Sequence, residues 1–441
     1  MKNVLCLGAG LVARPYVQYL SDHGFHVTVA SRTKSKADRL ITGCKNAKAT
    51  VFNIKTDDSF LDKLTAESDL ICSLLPYTYH VKAAKVAINY GKPFCTTSYI
   101  SEEMQGLDEA AKTAGILILN ECGVDPGIDH MSAMKIIDHV HNQGGKINSF
   151  TSFTGGLPAP EANNNPFGYK LSWSPRGVLL AGRNDAHFLR DGKEVRIPGP
   201  ELFDNYEIME VPGMGKFEGY PNRDSMSFID TYAIPETNTM LRGTFRNLGW
   251  CSTLKKIADL GLLSLDERSF DGMTFADMMY ELVDSKELEL TEAVSEAIGL
   301  KSDDPITSRL DWLGLFKTEN IPSGINTHLD ILCYLFEEKL QYAPGERDMI
   351  VMHHEFIAEY SDRKEKITST MIDYGIPNGD SSMSRTVALP VAIATKMILD
   401  GLITLTGVQR PVMPELYEPI LNELENLDIK LEESVTLLSE N

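Results

Sequence analysis

Asn3-Val4-Leu5-Cys6-Leu7-Gly8-Ala9-Gly10-Leu11-Val12-Ala13 is the stretch that decides the fold. The run up to Gly8 is short and apolar, which suits a strand buried on both faces of a parallel sheet. The spacing Gly8-x-Gly10-x-x-Ala13 comes at once after it. In a dinucleotide-binding turn the first glycine permits the tight turn and the second lets the backbone approach a pyrophosphate. A small third residue, here Ala13, lets the following helix pack closely on the strand. Helical spacing then runs from about Val12 to His23 and stops at Gly24, a natural C-cap. Amides near Leu11 and Val12 face the phosphates at the helix N-terminus. Alone the motif is weak. Its place between a predicted strand and a predicted helix gives it weight.

The pattern repeats outward from there. Strands are predicted at residues 26–31, 49–53, 70–75, 93–97 and 116–119, with helices at 36–42, 79–90 and 102–114 between them. Such alternation at short spacing means βαβ units and a parallel sheet, so the first ~120 residues read as a Rossmann-type nicotinamide-binding domain. An NAD-specific domain usually places Asp or Glu about 20 residues beyond the glycines, on the ribose hydroxyls. Here Ser31-Arg32-Thr33 stands at the end of the second strand. Arg32 can pair with a 2′-phosphate, and Ser31 and Thr33 can donate to it, so NADP(H) is the expected cofactor. Ligands lie outside the carboxyl ends of such strands. That places Asn53 and Ile54 near the adenine, Leu74 and Leu75 near phosphate or ribose, and Thr97, Ser98 and Tyr99 near the nicotinamide.

Length and charge bound the rest. A chain of 441 residues is too long for one core. Beyond residue 124 the texture becomes mixed α+β, with strand-like runs at 147–154 and 225–233, then strands at 349–359 and 365–374. Residues 252–345 carry five segments of helical spacing and read as an all-α insertion. A long apolar helix at 384–400 returns to the first domain. The expected architecture is therefore an α/β chain. A Rossmann domain of residues 1–124 is joined by 384–441, a mixed α+β substrate and dimerisation domain covers 125–251 and 346–383, and the helical insertion covers 252–345.

A formal charge of −20 argues against nucleic acid as a partner, since phosphate tracking needs a basic face. It also means that a pocket for an anionic substrate must supply its own arginines. No apolar run reaches the ~18 residues of a membrane span, and Val4–Leu7, running into Gly8-Ala9-Gly10 without a cleavage site, reads as a buried strand rather than a leader. The seven scattered cysteines form no C-x-x-C pair and suggest neither disulfides nor zinc. His353-His354 falls in a strand with alternate faces, a poor metal pair, so no metal is expected. These features place the chain in the cytoplasm. A sheet-bearing middle domain can pair across a two-fold axis, which makes a homodimer the expected assembly.

Longer strings carry a resemblance. VLCLGAGLVARP (4–15), SRT (31–33), ICSLLPYTYH (71–80), TTSYIS (96–101) and above all LNECGVDPGIDHM (119–131) are similar to the saccharopine dehydrogenases of the NADP-dependent, glutamate-forming kind. SFTGGLPAPEANNNPFGYKLSWSPRGV (152–178), YPNRDS (220–225), LRGTFRNLGW (241–250) and SMSRTVALPVAIA (382–394) extend the match over the whole chain. The resemblance implies reversible joining of L-glutamate and α-aminoadipate semialdehyde: they form an imine, which NADPH reduces to saccharopine, in the lysine pathway. It also implies roles. Arg223 and Arg246 would hold substrate carboxylates, with Thr244 and Phe245 beside them. Asp125 would hold the substrate ammonium and is the catalytic candidate, with Tyr99 as an alternative and His130 as a structural neighbour. Ser98 and Tyr99 would add hydrogen bonds. Trp173 would cover the nicotinamide and exclude water, with Ser174 and Val124 also at the cofactor. Two rivals stay open: another imine reductase making a carboxylated polyamine, whose cationic substrate would want acidic residues in place of Arg223 and Arg246, and a non-enzymatic NADP(H) sensor.

Overall fold

The computed structural model describes residues 1–285 and 287–439. The chain folds as two compact units, Met1–Ile147 with Ala358–Asn441, and Asn148–Ile357.

In the first unit the alternation is β1 (Asn3–Leu7), α1 (Arg14–Asp22), β2 (His26–Ser31), α2 (Lys34–Leu40), β3 (Ala47–Val51), α3 (Asp58–Ala66), β4 (Leu70–Ser73), α4 (His80–Asn89), β5 (Phe94–Thr96), α5 (Glu102–Gln105), α6 (Asp108–Thr113), β6 (Leu117–Leu119) and α7 (Ile128–Asn142), as the sequence pattern predicts except for α3, which it does not place. The strands make a parallel sheet in the order β6-β5-β4-β1-β2-β3, extended at the β6 edge by the short strand Gly407–Gln409. Strand order reverses beside β1, and such a switch point is where α/β sheets bind ligands. β1 and β4 are buried along almost their whole length, as strands covered on both faces must be. α1 starts at Arg14 rather than Val12, with Pro15 in its first turn, where a missing N–H is not felt. The helix expected over 102–114 is two short helices broken at Gly106.

The second unit is built on β7 (Lys146–Pro158), β8 (Ala186–Arg190), β9 (Lys193–Ile197), β10 (Glu207–Val211), β11 (Gly215–Pro221), β12 (Thr239–Arg246) and β13 (Asp348–Glu359). The order is β10-β11-β12-β7-β13, with β8 pairing β12 and β9. α8 (Pro175–Ala181) and α9 (Ser227–Thr231) interrupt the strands. The latter corrects the strand expected at 225–233. Both carboxylate oxygens of Asp224 accept from Met226 and Ser227 amides and start a helical turn there. Between β12 and β13 lie α10 (Trp250–Asp259), α11 (Phe275–Leu282), α12 (Leu290–Ala297), α13 (Pro305–Leu313) and α14 (His328–Lys339), in the places where helical spacing puts them. α11 carries a full capping box on Thr274 and Asp277.

The returning segment supplies β14 (Lys364–Tyr374), α15 (Ser382–Leu399), β15 (Gly407–Gln409), α16 (Pro414–Asn426) and β16 (Leu431–Leu438). α7 is held to this segment, with Tyr417 donating to Asp138 at 2.6 Å and Lys135 paired with Glu433. Residues 125–147 and 358–383 therefore belong to the first compact unit, whereas the sequence pattern assigns them to the middle domain.

Candidate functional site

The glycine loop is shaped by its neighbours. Gly8 has φ +115°, and a Cβ there would lie 2.7 Å from the Leu74 carbonyl oxygen, so both backbone angle and space demand glycine. Gly10 has nothing within 4 Å of the place a Cβ would take. A side chain there would occupy the open space over the loop, where a pyrophosphate needs to approach. Leu11 is 71% exposed, its side chain outside the core. Ser31, Arg32 and Thr33 lie at the carboxyl end of β2, with the last two exposed, and the Thr33 amide donates to Ser31 Oγ. Asn53 forms a local turn, its side chain accepting from the Lys55 amide. Ile54 is narrower in scope than expected: its side chain belongs to the core, and its carbonyl accepts from Lys82 Nζ. Only its backbone is free to face a nucleotide. Leu74 and Leu75 flank the glycine loop, half-buried.

Past β5 and β6 two loops meet. Tyr99 donates to Asp125 at 3.0 Å. The Glu121 amide donates to the Ser98 carbonyl, and Cys122 to Thr96. The buried Glu121 carboxylate accepts from the Ile100 amide (2.9 Å) and Arg410 Nε (3.0 Å), and lies 2.9 Å from His130 Nε2. Burial pulls its pKa up, but His130, Arg410 and the amide outweigh this and hold it below the ordinary value. His130 is thereby structural. Val124 is buried, and its carbonyl caps α7 by accepting from the Asp129 amide. Thr97 is half-buried at the end of β5, beside Gly123.

The second unit holds the remaining candidates. On β12, Thr244 and Arg246 point to one face and Phe245 to the other, as strand alternation requires. Thr154 of β7 and Tyr220 of β11 lie in register with Thr244. Phe245 is fully buried against Phe153 and Phe217, so its side chain is core and the expected substrate contact is not made through it. Arg246 is 5% exposed. It donates from Nη1 to the Phe245 carbonyl, its guanidinium sits over the rings of Tyr169 and Trp250, and its Nε has no partner. Thr154 Oγ1 and Trp250 Nε1 are also buried without partners. Native proteins leave few such groups. Several on and around one face of a sheet, about a buried cation, mark a place for an anionic polar ligand. Trp173 packs on the first turn of α8, where a Cβ at Gly177 would strike its ring. Ser174 is the N-cap of that helix, accepting from the Gly177 amide. Arg223 is exposed in a turn with φ +56°. Tyr169, Trp250 and Thr154 are not singled out by the sequence, although each lies in or beside a string that carries the resemblance.

The glycine loop, the basic end of β2 and the buried arginine define a nicotinamide-dependent oxidoreductase. The chain belongs to the saccharopine dehydrogenase family: residues 4–119 match the saccharopine dehydrogenase NADP binding domain and residues 123–429 its C-terminal domain. It is 42% identical to the saccharopine dehydrogenase [NADP(+), L-glutamate-forming] of Schizosaccharomyces pombe over 99% of both chains. Identity to the Saccharomyces cerevisiae protein of that name is 43%, over 96% of this chain and 97% of that one. The apo structure of the yeast enzyme superposes with TM-score 0.90 at 41% identity, covering 99% of this chain and 100% of that one. A homospermidine synthase from Legionella pneumophila shares the fold alone, at TM-score 0.60 and 9% identity. Among the described residues no helix is long and apolar enough to cross a membrane, and all seven cysteines are free. Burial pushes Cys6 and Cys95 up to about 12, so these thiols stay protonated.

Proposed function

We infer that the protein catalyses the reversible, NADPH-dependent reduction of the imine formed by L-glutamate and α-aminoadipate semialdehyde, giving saccharopine, in the lysine/α-aminoadipate pathway. The observation that carries this reading is Arg246, a buried guanidinium with an unpaired Nε on a polar sheet face. Saccharopine bears three carboxylates, and a planar guanidinium pairs with a carboxylate through two parallel bonds. A diamine substrate would meet the wrong charge there, which disfavours the polyamine reading. The fungal saccharopine dehydrogenases that match this chain over nearly its whole length support the same conclusion.

NADP(H), when bound, supplies the hydride. The chain's residues bind, orient and protect. Gly8, Gly10 and the Leu11–Val12 amides take the pyrophosphate, and Ser31, Arg32 and Thr33 the 2′-phosphate. Asn53, the Ile54 backbone, Leu74, Leu75, Thr97, Val124 and Ser174 complete the cofactor set. Arg246, Arg223 and Thr244 are assigned to substrate carboxylates, and Ser98 and Tyr99 to its polar groups. Asp125, oriented by the Tyr99 hydroxyl, is assigned to the substrate nitrogen, where a carboxylate favours the protonated form. Trp173 excludes water, which would hydrolyse an imine. The cytoplasm is the proposed compartment and a homodimer the proposed assembly, the latter checked by light scattering on the purified chain.

The direct test follows NADPH absorbance with glutamate and the semialdehyde together, then NADP with saccharopine. Turnover requiring both carbon substrates is expected. Oxidation of NADPH with a diamine in place of glutamate would sink the reading. At the cofactor, Arg32→Ala should lower the NADPH-over-NADH ratio of kcat/KM by about 10- to 100-fold, the worth of one or two charge-assisted hydrogen bonds. An unchanged ratio would move the 2′-phosphate away from β2.

A further inference from the structure

His80 is among the buried titratable side chains of the first unit that the proposed roles leave unused. It opens α4 and is 4% exposed. Its Nδ1 lies 2.9 Å from Ser73 Oγ, at the carboxyl end of β4. Its Nε2 lies 2.9 Å from Ser98 Oγ, just past the carboxyl end of β5, and 3.3 Å from Thr96 Oγ1. Both ring nitrogens are thus engaged by hydroxyls. Burial lowers the His80 pKa to about 4, so the ring is neutral near pH 7. A neutral imidazole has one N–H and one lone pair. It can donate to one serine only and must accept from the other. The two hydroxyls are therefore locked in opposite senses through one rigid ring, and Ser98 cannot turn independently.

The sense matters because the chain around Ser98 is already fixed. Tyr99 donates to Asp125, and the Ser98 carbonyl accepts from the Glu121 amide. Only the Ser98 hydroxyl rotor needs setting. A serine that donates to His80 turns its lone pairs outward and cannot donate to a carboxylate. A serine that accepts from His80 keeps its own proton for the ligand.

We propose that His80 is a positioning residue: it carries its proton on Nε2, donates to Ser98 Oγ while accepting from the Ser73 hydroxyl at Nδ1, and so holds the Ser98 O–H ready to donate to a carboxylate of the amino-acid substrate. This rests on the assignment of Ser98 to substrate in the proposed function. Ser73, buried at the end of β4, is the hydroxyl that meets Nδ1 in this tautomer. Thr96 shares the Nε2 donor and fixes the ring plane.

The test combines kinetics with a measurement that needs no turnover. His80→Ala and Ser98→Ala should each raise the saccharopine KM about tenfold, the value of one hydrogen bond to a charged ligand. kcat should change less than about twofold and NADP binding should stay unchanged. The double variant should be no worse than either single one, because both remove the same interaction. His80→Gln, whose amide can donate to Ser98 and accept from Ser73, should recover most of the loss and guards against a folding artefact. A purely structural His80 would instead lower the active fraction, so that kcat falls at constant KM along with Tm. That pattern, or additive losses in the double variant, overturns the proposal. Nitrogen NMR of ring-labelled wild-type protein reads the tautomer directly. A protonated Nε2 upholds the assignment, and a protonated Nδ1 overturns it. Absence of saccharopine turnover in the wild type would strike the proposed function, while the tautomer would still decide what His80 does.

Discussion

Arg246→Ala should raise the saccharopine KM by about two to three orders of magnitude, the cost of truncating one partner of a buried charge pair, and leave NADPH affinity unchanged. The guanidinium is 5% exposed and stacked over Tyr169 and Trp250, so the proposed bond to a substrate carboxylate would be shielded from water and strong. The same burial makes it a burden without ligand. Its Nε is unpaired, and among the described residues no salt bridge meets its charge. A buried cation that no salt bridge meets costs free energy in the absence of its ligand. The ligand-free Arg246→Ala protein should therefore melt no lower than wild type, and saccharopine should raise the Tm of wild type far more than that of the variant. A core arginine would behave in the opposite way, losing stability with no selective change in KM. Arg246→Lys should recover little, because an ammonium cannot form the parallel pair of bonds that the guanidinium makes. A saccharopine KM within twofold of wild type would remove Arg246 from the site.

This division between binding and stability shows which features a sequence can reveal. The parallel sheet of the first unit is legible because period and punctuation agree: short apolar runs, the first ending at Gly8 and the fourth at Pro76, alternate with helical spacing that stops at Gly24, Gly91 and Gly115. β16 lacks both signals. Leu431–Leu438 is almost wholly exposed, pairs only along β14, and mixes apolar and acidic residues without alternation, so no buried face imposes a period on it. Residues 225–233 mislead for a different reason: Asp224 caps a turn that the apolar content alone reads as a strand. Phe245 reads as a substrate residue because its neighbours do. The period-two rule, applied to Thr244-Phe245-Arg246, puts it on the opposite face. His80 and Glu121 are beyond reach in another sense. Each lies in a string that carries the family resemblance, yet their partners lie 7 to 289 residues away in the chain. A buried polar residue reveals its role only when those partners are found.

Glu121 gives the sharpest consequence of such a hidden network. Glu121→Ala should destabilise the first unit by about 3–5 kcal/mol, the usual cost of breaking a buried ion pair by removing one member, lowering its Tm by about 10 °C. Three elements converge on this one carboxylate: the Ile100 amide after Tyr99, His130 at the start of α7, and Arg410 after β15. The residue adopts φ +54°, a conformation unfavourable for a non-glycine side chain that persists only where surroundings over-determine it. Its folded pKa lies below the ordinary 4.5. A depressed carboxylate pKa contributes stability that is complete above the unfolded value and is lost as pH falls through the folded one. Wild type should thus lose stability on acidification from about pH 5 downward more steeply than Glu121→Gln, and the gap in Tm between the two should narrow as pH falls. Parallel Tm curves down to pH 3 would show that the carboxylate carries no net electrostatic stability. Because Glu121 also fixes the turn holding Ser98 and Tyr99, the Gln variant at pH 7 should lose kcat as well. A variant that retains full kcat while melting lower would confine Glu121 to stability and leave the orientation of Asp125 to Tyr99 alone.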